Sequence, residues 1–228
     1  TTAVTAVLLL ARIRRERIAL LGLGPDPTAL AVRSGCLPRY STEDVATALD
    51  QRRDAALEDV LALMDQIAAN GWAIGYQRDP SSHSAARLAR TFSQLFGATL
   101  VDAGSALQGQ TMSLLDTSNA VVLLGDGSKE GMRSIEVAFS NLMATGLVPT
   151  TQLVIGLVQT VKSSKIDLGW ESDIVRRQGI RSVGIPWDPQ LATAQQVRPE
   201  LLGPTTLRAF ARLLAEVVDT SMSAGGAA

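Results

Sequence analysis

Asp102 is the carboxylate of this chain best placed for chemistry. It follows the uncharged run "ATLV", which predicts a buried strand ending at Asp102, and the small residues after it leave room for a ligand. A carboxylate buried at such a strand end needs a partner, and a hydrated Mg²⁺ ion would be a suitable one. The alternative is that Asp102 caps the next turn through its own backbone.

Two threonines, Thr1 and Thr2, stand before a long apolar segment that predicts a helix, "TTAVTAVLLLARIRR". The N-terminus of a helix carries free amides and about half a positive charge, so it favours phosphate. A threonine in its first turn can add a hydroxyl ligand for Mg²⁺. The alternative is that both threonines only cap a helix that is buried on nearly every side.

These residues have to be positioned by a sheet. Apolar runs without alternation predict six buried parallel strands, at 17–23, 71–76, 97–104, 119–127, 152–158 and 181–187. Helical patterns separate them, which predicts an α/β fold of three layers, a mostly parallel twisted sheet with helices on both faces. Ligands of such sheets bind beyond the carboxyl ends of the strands.

The spacing of apolar residues predicts the helices. One face is formed by Leu57, Leu61, Met64 and Ile67, and we expect Asn70-Gly71 to end that helix in a left-handed turn. Further faces are Leu88, Phe92 and Leu95, with Ser81, Ser82 or Ser84 as caps, and Met132, Ile135, Phe139 and Leu142, ending at Gly146. The last helix is predicted from Pro204 to about Asp219, before a flexible tail at 221–228; 108–118 is the expected mobile loop.

Composition excludes several classes of function. The net charge is −1, so nucleic acid is not an expected partner, and four arginines at 12–17 lack the interleaved aromatics of a nucleic-acid site. The single Cys36 and single His83 exclude an intrachain disulfide and argue against a cysteine- or histidine-built metal site. Without a signal peptide or a spanning apolar run, we expect a soluble cytoplasmic protein without a direct membrane anchor.

With these residues assembled, the chain resembles the ParA/MinD family of P-loop ATPases with the deviant Walker A motif, and most closely its actinobacterial MinD-like members associated with type VII secretion. The family's motif ends in Gly-Lys-Thr-Thr, which Thr1-Thr2 would continue, so that the P-loop strand and its lysine would precede residue 1. "LLGLGPDP" is similar to the family's Asp-x-Asp-Pro strand end, "ATLVDAG" to its Walker B strand, "LVIGLVQT" to its adenine-contacting segment and "VGIPWDPQLATA" to its purine-side segment.

The resemblance implies roles for single residues. Thr1 would bind Mg²⁺, Thr2 phosphate, and Asp102 the metal through a water; Gln159 and Pro186 would contact the base, although Gln159 is longer than the family's asparagine. Asp126, at another strand end, is expected to cap the helix that starts near Ser128.

Glycines stand where the family has carboxylates that place the attacking water. Gly22 and Gly24 cannot do this, so we expect hydrolysis of ATP to be very slow or lost. The alternative is that these glycines merely admit a close helix or loop. Asp26, two residues beyond Gly24 and between prolines, is the remaining candidate.

One domain over 1–220 is therefore predicted, binding ATP or ADP with Mg²⁺, with nucleotide state controlling homodimerisation or recruitment of a positioning or secretion partner. The alternatives are a pseudo-ATPase scaffold of the same fold that is indifferent to nucleotide, and a working ATPase whose missing carboxylate comes from Asp26 or a partner.

Overall fold

The computed structural model describes residues 1–24, 26–51, 56–78, 83–104 and 110–225. Its contacts group the chain into two compact units: Thr1–Leu114 with Ala194–Pro199, and Leu115–Thr193 with Glu200–Ala228. Each unit has its own sheet, and each is described separately below.

The first unit contains a four-stranded sheet in the order β2-β3-β1-β4. β1 pairs in parallel with β3 and β4, and β2 pairs antiparallel with β3. The elements are α1 (Thr2–Ile13), β1 (Ile18–Gly22), α2 (Pro27–Ser34), α3 (Thr42–Asp50), α4 (Leu57–Ala62), β2 (Asp65–Ala68), β3 (Gly71–Ile74), α5 (Ser84–Leu95), β4 (Ala98–Asp102) and α6 (Gln110–Leu115).

Helices cover both faces of this sheet. On one face, α1 lies against β3, since a side chain at Gly71 would meet Val7 and Ala11. On the other face, Ala19 and Leu21 of β1 join a core built around Phe92 of α5 and Val45 of α3. Because successive strand residues point to opposite faces, the fully buried strand β1 serves both layers.

The predicted helix over Leu57–Ile67 is wrong in its second half. α4 ends at Ala62, and the chain continues as β2, which turns into β3 at Ala69-Asn70. Neither Asn70 nor Gly71 has a positive φ, so the left-handed helix end is wrong too. Met64 is buried just before this hairpin. The apolar residues at helical spacing can therefore be buried here although the second half of the segment is not a helix.

The second unit contains three parallel strands in the order β5-β6-β7. Its elements are β5 (Val121–Asp126), α7 (Lys129–Thr145), β6 (Leu153–Val158), α8 (Leu168–Arg177), β7 (Arg181–Ile185), α9 (Pro189–Ala192) and α10 (Pro204–Gly225). α7 ends at Gly146, whose φ of 67° gives the left-handed turn expected from the sequence. α10 packs on β6 and β7 with Phe210, Leu213 and Leu214 buried.

The α/β fold class and all six predicted strands are confirmed, and β2 is an additional strand. Two boundaries were predicted wrongly. Residues 110–115 of the expected mobile loop form α6, while 105–109 lie outside the described residues. α10 continues to Gly225 instead of ending near Asp219. Within the described residues, every helix is too short or too polar to cross a membrane.

Candidate functional site

The N-terminal end of α1 is held by its own backbone. Thr1 occupies the capping position, but its side chain makes no capping hydrogen bond. Instead its carbonyl accepts two bonds from the buried Thr5, one from the amide and one from the hydroxyl, both 3.0 Å long. Thr1 itself is exposed and Thr2 half-buried. Thr1 is therefore the N-cap of α1 by position, as the alternative interpretation has it, while its hydroxyl makes no capping hydrogen bond.

Asp102 ends β4 on the side of the sheet to which the first residues of α1 are directed. The C-terminal end of α1 lies at the start of β3, because the Asn70 side chain donates to the Arg14 carbonyl and a side chain at Gly71 would meet Ala11. The Thr1 end of α1 therefore points toward the carboxyl ends of the strands, and α1 contacts β4, which ends at Asp102. The helix α2, which carries Arg33, also contacts α1. The sequence indicated Thr1 and Asp102 but gave no signal for Arg33, which comes from α2.

Asp102 is half-buried, less than the sequence suggested. Its Oδ1 accepts a hydrogen bond of 3.3 Å from the backbone N–H of Gly104, whose φ is 69°. This is the local turn contact of the alternative interpretation. It uses one carboxylate oxygen, so the contact with the turn and a bond to a metal-bound water are compatible. β4 is half-buried along its length because it lies at the edge of the sheet and pairs only with β1 among the described strands.

The two glycines after β1 differ in their surroundings. Gly22 is the register partner of Asp102, and a Cβ there would lie 3.0 Å from the Gly75 carbonyl oxygen and 3.3 Å from that of Ile74. A side chain at Gly22 therefore requires β3 to move. At Gly24 a Cβ would meet no atom within 4 Å. The close-approach interpretation fits Gly22, whereas Gly24 leaves an open space.

Asp26 is the N-cap of α2. Its Oδ1 accepts bonds from the Thr28 hydroxyl, at 2.6 Å, and from the Thr28 amide, at 2.8 Å. These bonds, first from the side chain and then from the backbone, lower the pKa of the exposed Asp26 carboxyl. It is therefore ionised at neutral pH and committed to the helix end, while its proposed catalytic role stays a prediction.

Gln159 and Pro186 come together in the second unit. The Gln159 amide donates to the Val161 carbonyl at 3.2 Å, and its Oε1 accepts from the Trp187 amide at 3.4 Å. The Gln159 backbone N–H also bonds the Ile185 carbonyl, so that Gln159 is fixed to both neighbours of Pro186. Binding a purine edge through this side chain would replace one of these contacts.

Sequence reasoning missed Asp188 in the segment after β7. It is 3% exposed and caps α9 by accepting from the Gln190 amide, while its other oxygen accepts from the Gly203 amide at 2.9 Å. Asp188 thereby ties the segment after Pro186 to the start of α10. The motif Asp-Pro could have indicated the cap, but not the second partner 15 residues away.

Asp126 does not cap α7, contrary to the prediction. Ser128 is the cap and accepts from the Gly131 amide at 3.0 Å, whereas Asp126 accepts from the Thr160 hydroxyl at 2.8 Å. Asp126 thus links the ends of β5 and β6. Gly131 leaves no room for a side chain because Asp126 itself lies against it.

The structure also shows the surroundings of His83, of the serines near it and of the basic run at 12–17. His83 is exposed before α5 and makes no capping bond. Ser81 and Ser82 lie outside the described residues, and Ser84 is the first residue of the helix.

In the basic run, Arg14 pairs with Glu16, and Arg17 pairs with Glu58 while lying over Trp72. Two of the four arginines of this run are thus engaged by residues of the chain itself.

The sulfur of Cys36 is close to the Gln66 carbonyl, and burial raises the pKa of the thiol, with Asp65 adding to it. This agrees with an unreactive cysteine.

In the described part of the chain, no three histidine, cysteine or acidic residues gather as a metal site. Mg²⁺ in phosphate sites commonly uses only one or two protein ligands, for which Thr1 and Asp102 have the right chemistry.

The chain has the fold of ParA/MinD ATPases. It is similar to a ParA family ATPase from Chlorobium tepidum TLS, with a TM-score of 0.67, 15% identity, and 97% of this chain and 90% of that chain covered. A MinC:MinD cell division complex from Aquifex aeolicus gives a TM-score of 0.66 at 14% identity, covering 96% and 90%.

The septum site-determining protein MinD from Pyrococcus horikoshii OT3, complexed with Mg-ADP, gives a TM-score of 0.62 at 18% identity, covering 95% and 89%. No protein-family profile matches the chain, and no curated protein matches its sequence. At these identities the likeness establishes the fold.

Proposed function

We propose that this chain is a ParA/MinD-like nucleotide-binding protein that takes ATP or ADP with Mg²⁺. The observation that carries the proposal is the direction of α1, whose Thr1 end points to the carboxyl ends of the strands, where β4 ends at Asp102. A site for nucleotide phosphate and Mg²⁺ needs at least backbone amides and a helix dipole directed at the phosphate, with a carboxylate nearby for the hydrated cation. The shared fold supports it, as does the Mg-ADP complex of one similar protein.

The proposed site includes further groups. Thr2 would contact phosphate, the Thr1 hydroxyl would bind Mg²⁺ directly, and Asp102 would bind it through water. We propose separately that Gln159 and Pro186, which lie next to each other in the second unit, are contacts for a purine base.

The proposal assigns the protein weak or lost hydrolysis and a role as a switch. Gly22 and Gly24 provide no carboxylate to place a water, whereas phosphate binding rests largely on backbone amides. Nucleotide would then act through different affinities for two states, controlling homodimerisation or the recruitment of a positioning or type VII secretion partner in the cytoplasm.

The test is a titration of the full-length protein, including any residues before Thr1, with ATP and Mg²⁺. Binding should raise the melting temperature, as it must for a ligand that binds only the folded state. Asp102→Asn should weaken the Mg²⁺-dependent part of this effect, while Asp116→Asn, at an exposed position after α6, should leave it unchanged. An unchanged melting temperature together with absent binding would refute the proposal.

A second candidate is a scaffold of the same fold that does not respond to nucleotide. It is favoured by the bonds that already occupy both ends of the Gln159 amide. The two candidates differ in partner capture: a switch captures its partner at levels that depend on ATP or ADP, and a scaffold captures it equally with either or with none.

A further inference from the structure

A cavity of about 390 Å³ lies in the second unit between α8, β7 and α10. It opens at the edge of β7, which pairs only with β6 among the described strands. Four charged side chains line it: Asp173 and Arg176 from α8, and Arg208 and Arg212 from α10. Three guanidinium groups against one carboxylate make the cavity positive, although the chain as a whole carries a charge of −1.

Arg176 forms a fixed wall of this cavity. Its Nε and Nη2 both donate to the Ser182 carbonyl of β7, at 2.9 and 2.7 Å, and its Nη1 donates to Asp173 at 2.7 Å. The single carboxylate of the lining is therefore already paired with this arginine. The other two arginines, Arg208 and Arg212, have no carboxylate in the lining to pair with, and both are exposed at its rim.

Arg208 and Arg212 are four residues apart on α10 and therefore share one face of the helix. In the described part of the chain, neither guanidinium has a hydrogen bond or an ion pair. Like charges at this spacing repel each other. An anion between them would replace repulsion with two attractive contacts, and the positive end of the α10 dipole, near Thr205, adds to the attraction.

Ser172 gives an independent indication of a ligand. It lines the same cavity, is 1% exposed, and its hydroxyl has no partner among the described residues. Buried hydroxyls are normally bonded, and one without a partner is unfavourable. The oxygen is covered in its present position, so a rotation of the Ser172 side chain toward the cavity would let it donate to an acceptor atom there and gain the missing bond.

We propose that this cavity binds the phosphate or carboxylate group of a small molecule, held by Arg208 and Arg212 with the Ser172 hydroxyl. The cavity volume is within the range of about 300–1,000 Å³ that is usual for small-ligand sites. A cavity with a buried hydroxyl fits a compact ligand better than a nucleic-acid duplex, which is recognised by an extended basic surface. The proposal does not rest on nucleotide binding, although Pro186 also borders the cavity.

Calorimetric titration of the full chain with pyrophosphate and, separately, with citrate tests the proposal, in the absence of Mg²⁺. Pyrophosphate tests for binding of a phosphate group and citrate for binding of a carboxylate group, and neither probe contains a nucleotide base. The double variant Arg208→Gln with Arg212→Gln should bind the better probe at least tenfold more weakly. Arg177→Gln, an exposed arginine of α8 outside the cavity, is the matched control and should bind like the wild type.

The variant Ser172→Ala tests whether the Ser172 hydroxyl binds the ligand or only affects the packing of the protein. It should leave the melting temperature of the free protein unchanged or raised, because it removes an unsatisfied hydroxyl, and it should weaken the probe several-fold. The proposal is overturned if neither probe binds, or if the arginine double variant and Ser172→Ala bind as Arg177→Gln does. It is also overturned if only a DNA duplex binds in an arginine-dependent manner.

Discussion

At the scale of single residues, the end of β1 decides what the candidate site can do. A side chain at Gly22 would press on the Gly75 and Ile74 carbonyl oxygens, whereas at Gly24 a Cβ would meet no atom of the described residues within 4 Å. A carboxylate therefore meets a steric obstacle at Gly22 but none at Gly24. Under the proposed function, a single substitution at Gly24 should then suffice to supply a carboxylate that promotes hydrolysis.

We predict that Gly24→Asp raises ATP hydrolysis by the full-length protein, because it returns a carboxylate that can orient water near Asp102. Groups that position or activate a nucleophile contribute about 10²–10⁴-fold, so a rise of at least about tenfold is expected. Phosphate release measures it. Gly24→Asn, with the same shape and no charge, should stay at the wild-type rate; equal rates for the two variants would contradict the prediction.

Gly22→Asp serves as the steric comparison in that experiment. Its Cβ would lie 3.0 Å from the Gly75 carbonyl oxygen, so the strand has to move and the melting temperature should fall. Gly24→Asp should melt close to the wild type.

At the scale of elements, the start of α3 shows how a helix end determines the pKa of a carboxyl group, that of Asp44. α3 begins with a capping box, in which the Ser41 hydroxyl accepts from the Asp44 amide while the Asp44 carboxylate accepts from the Ser41 amide. Arg78 also donates to Asp44, at 2.6 Å. Burial raises the pKa of Asp44, but these hydrogen bonds and the arginine charge more than offset it and leave the pKa below its usual value.

We predict a pH-dependent contribution of Asp44 to stability. A carboxyl group whose pKa is lower in the folded state stabilises above its unfolded pKa, about 3.9, and this is lost as the pH falls through the folded value. Urea unfolding at pH 7 should therefore show Asp44→Asn to be less stable than wild type, with the difference shrinking below about pH 4.

Asp219→Asn is the control for that series, since Asp219 is exposed near the end of α10. It should track the wild type at every pH. A difference between wild type and Asp44→Asn that is constant from pH 7 to pH 3 would contradict the prediction.

The elements that could be predicted from the sequence are those specified by local pattern. The continuous apolar runs of β1 and β6 identify strands that are paired on both sides in parallel, and Gly146 marks the end of α7. β2 could not be predicted, because "DQIA" has little strand character and its pairing depends on β3. The helical spacing of Leu57, Leu61 and Met64 is satisfied here by a short helix followed by a hairpin.

The candidate site could be predicted in part for a similar reason. Asp102 and Thr1 were indicated because strand ends and helix starts face ligands in this architecture. Arg33, Asp188 and the arginines of α10 were not, because their roles depend on neighbours that are far away in the sequence. Tertiary contacts of this kind leave no local pattern.

At the scale of the whole molecule, two cores support the fold. Phe92 is fully buried in the first unit, and Phe210 is fully buried in the second. Phe92 belongs to the apolar cluster of the first unit, and Phe210 lies on α10, which packs against β6 and β7 of the second. Each unit thus has a buried core of its own.

We predict that damage to one core loosens mainly its own unit. Phe92→Leu should cost about 1–3 kcal/mol and accelerate native-state hydrogen exchange in β1 and α5 more than in β6. Phe210→Leu should do the reverse. Equal acceleration throughout the described chain by either variant would show instead that the cores unfold as one.

Among the strands that the structure describes, one edge of β4 is unpaired, which has a consequence for handling the protein. A bare row of amides and carbonyls on an apolar strand is a template to which another polypeptide can add. Wherever that flank stays uncovered, concentrated samples should self-associate through intermolecular sheet, and a segment or partner that covers it should suppress this. Turbidity then reports whether β4 is covered, even before any ligand is known.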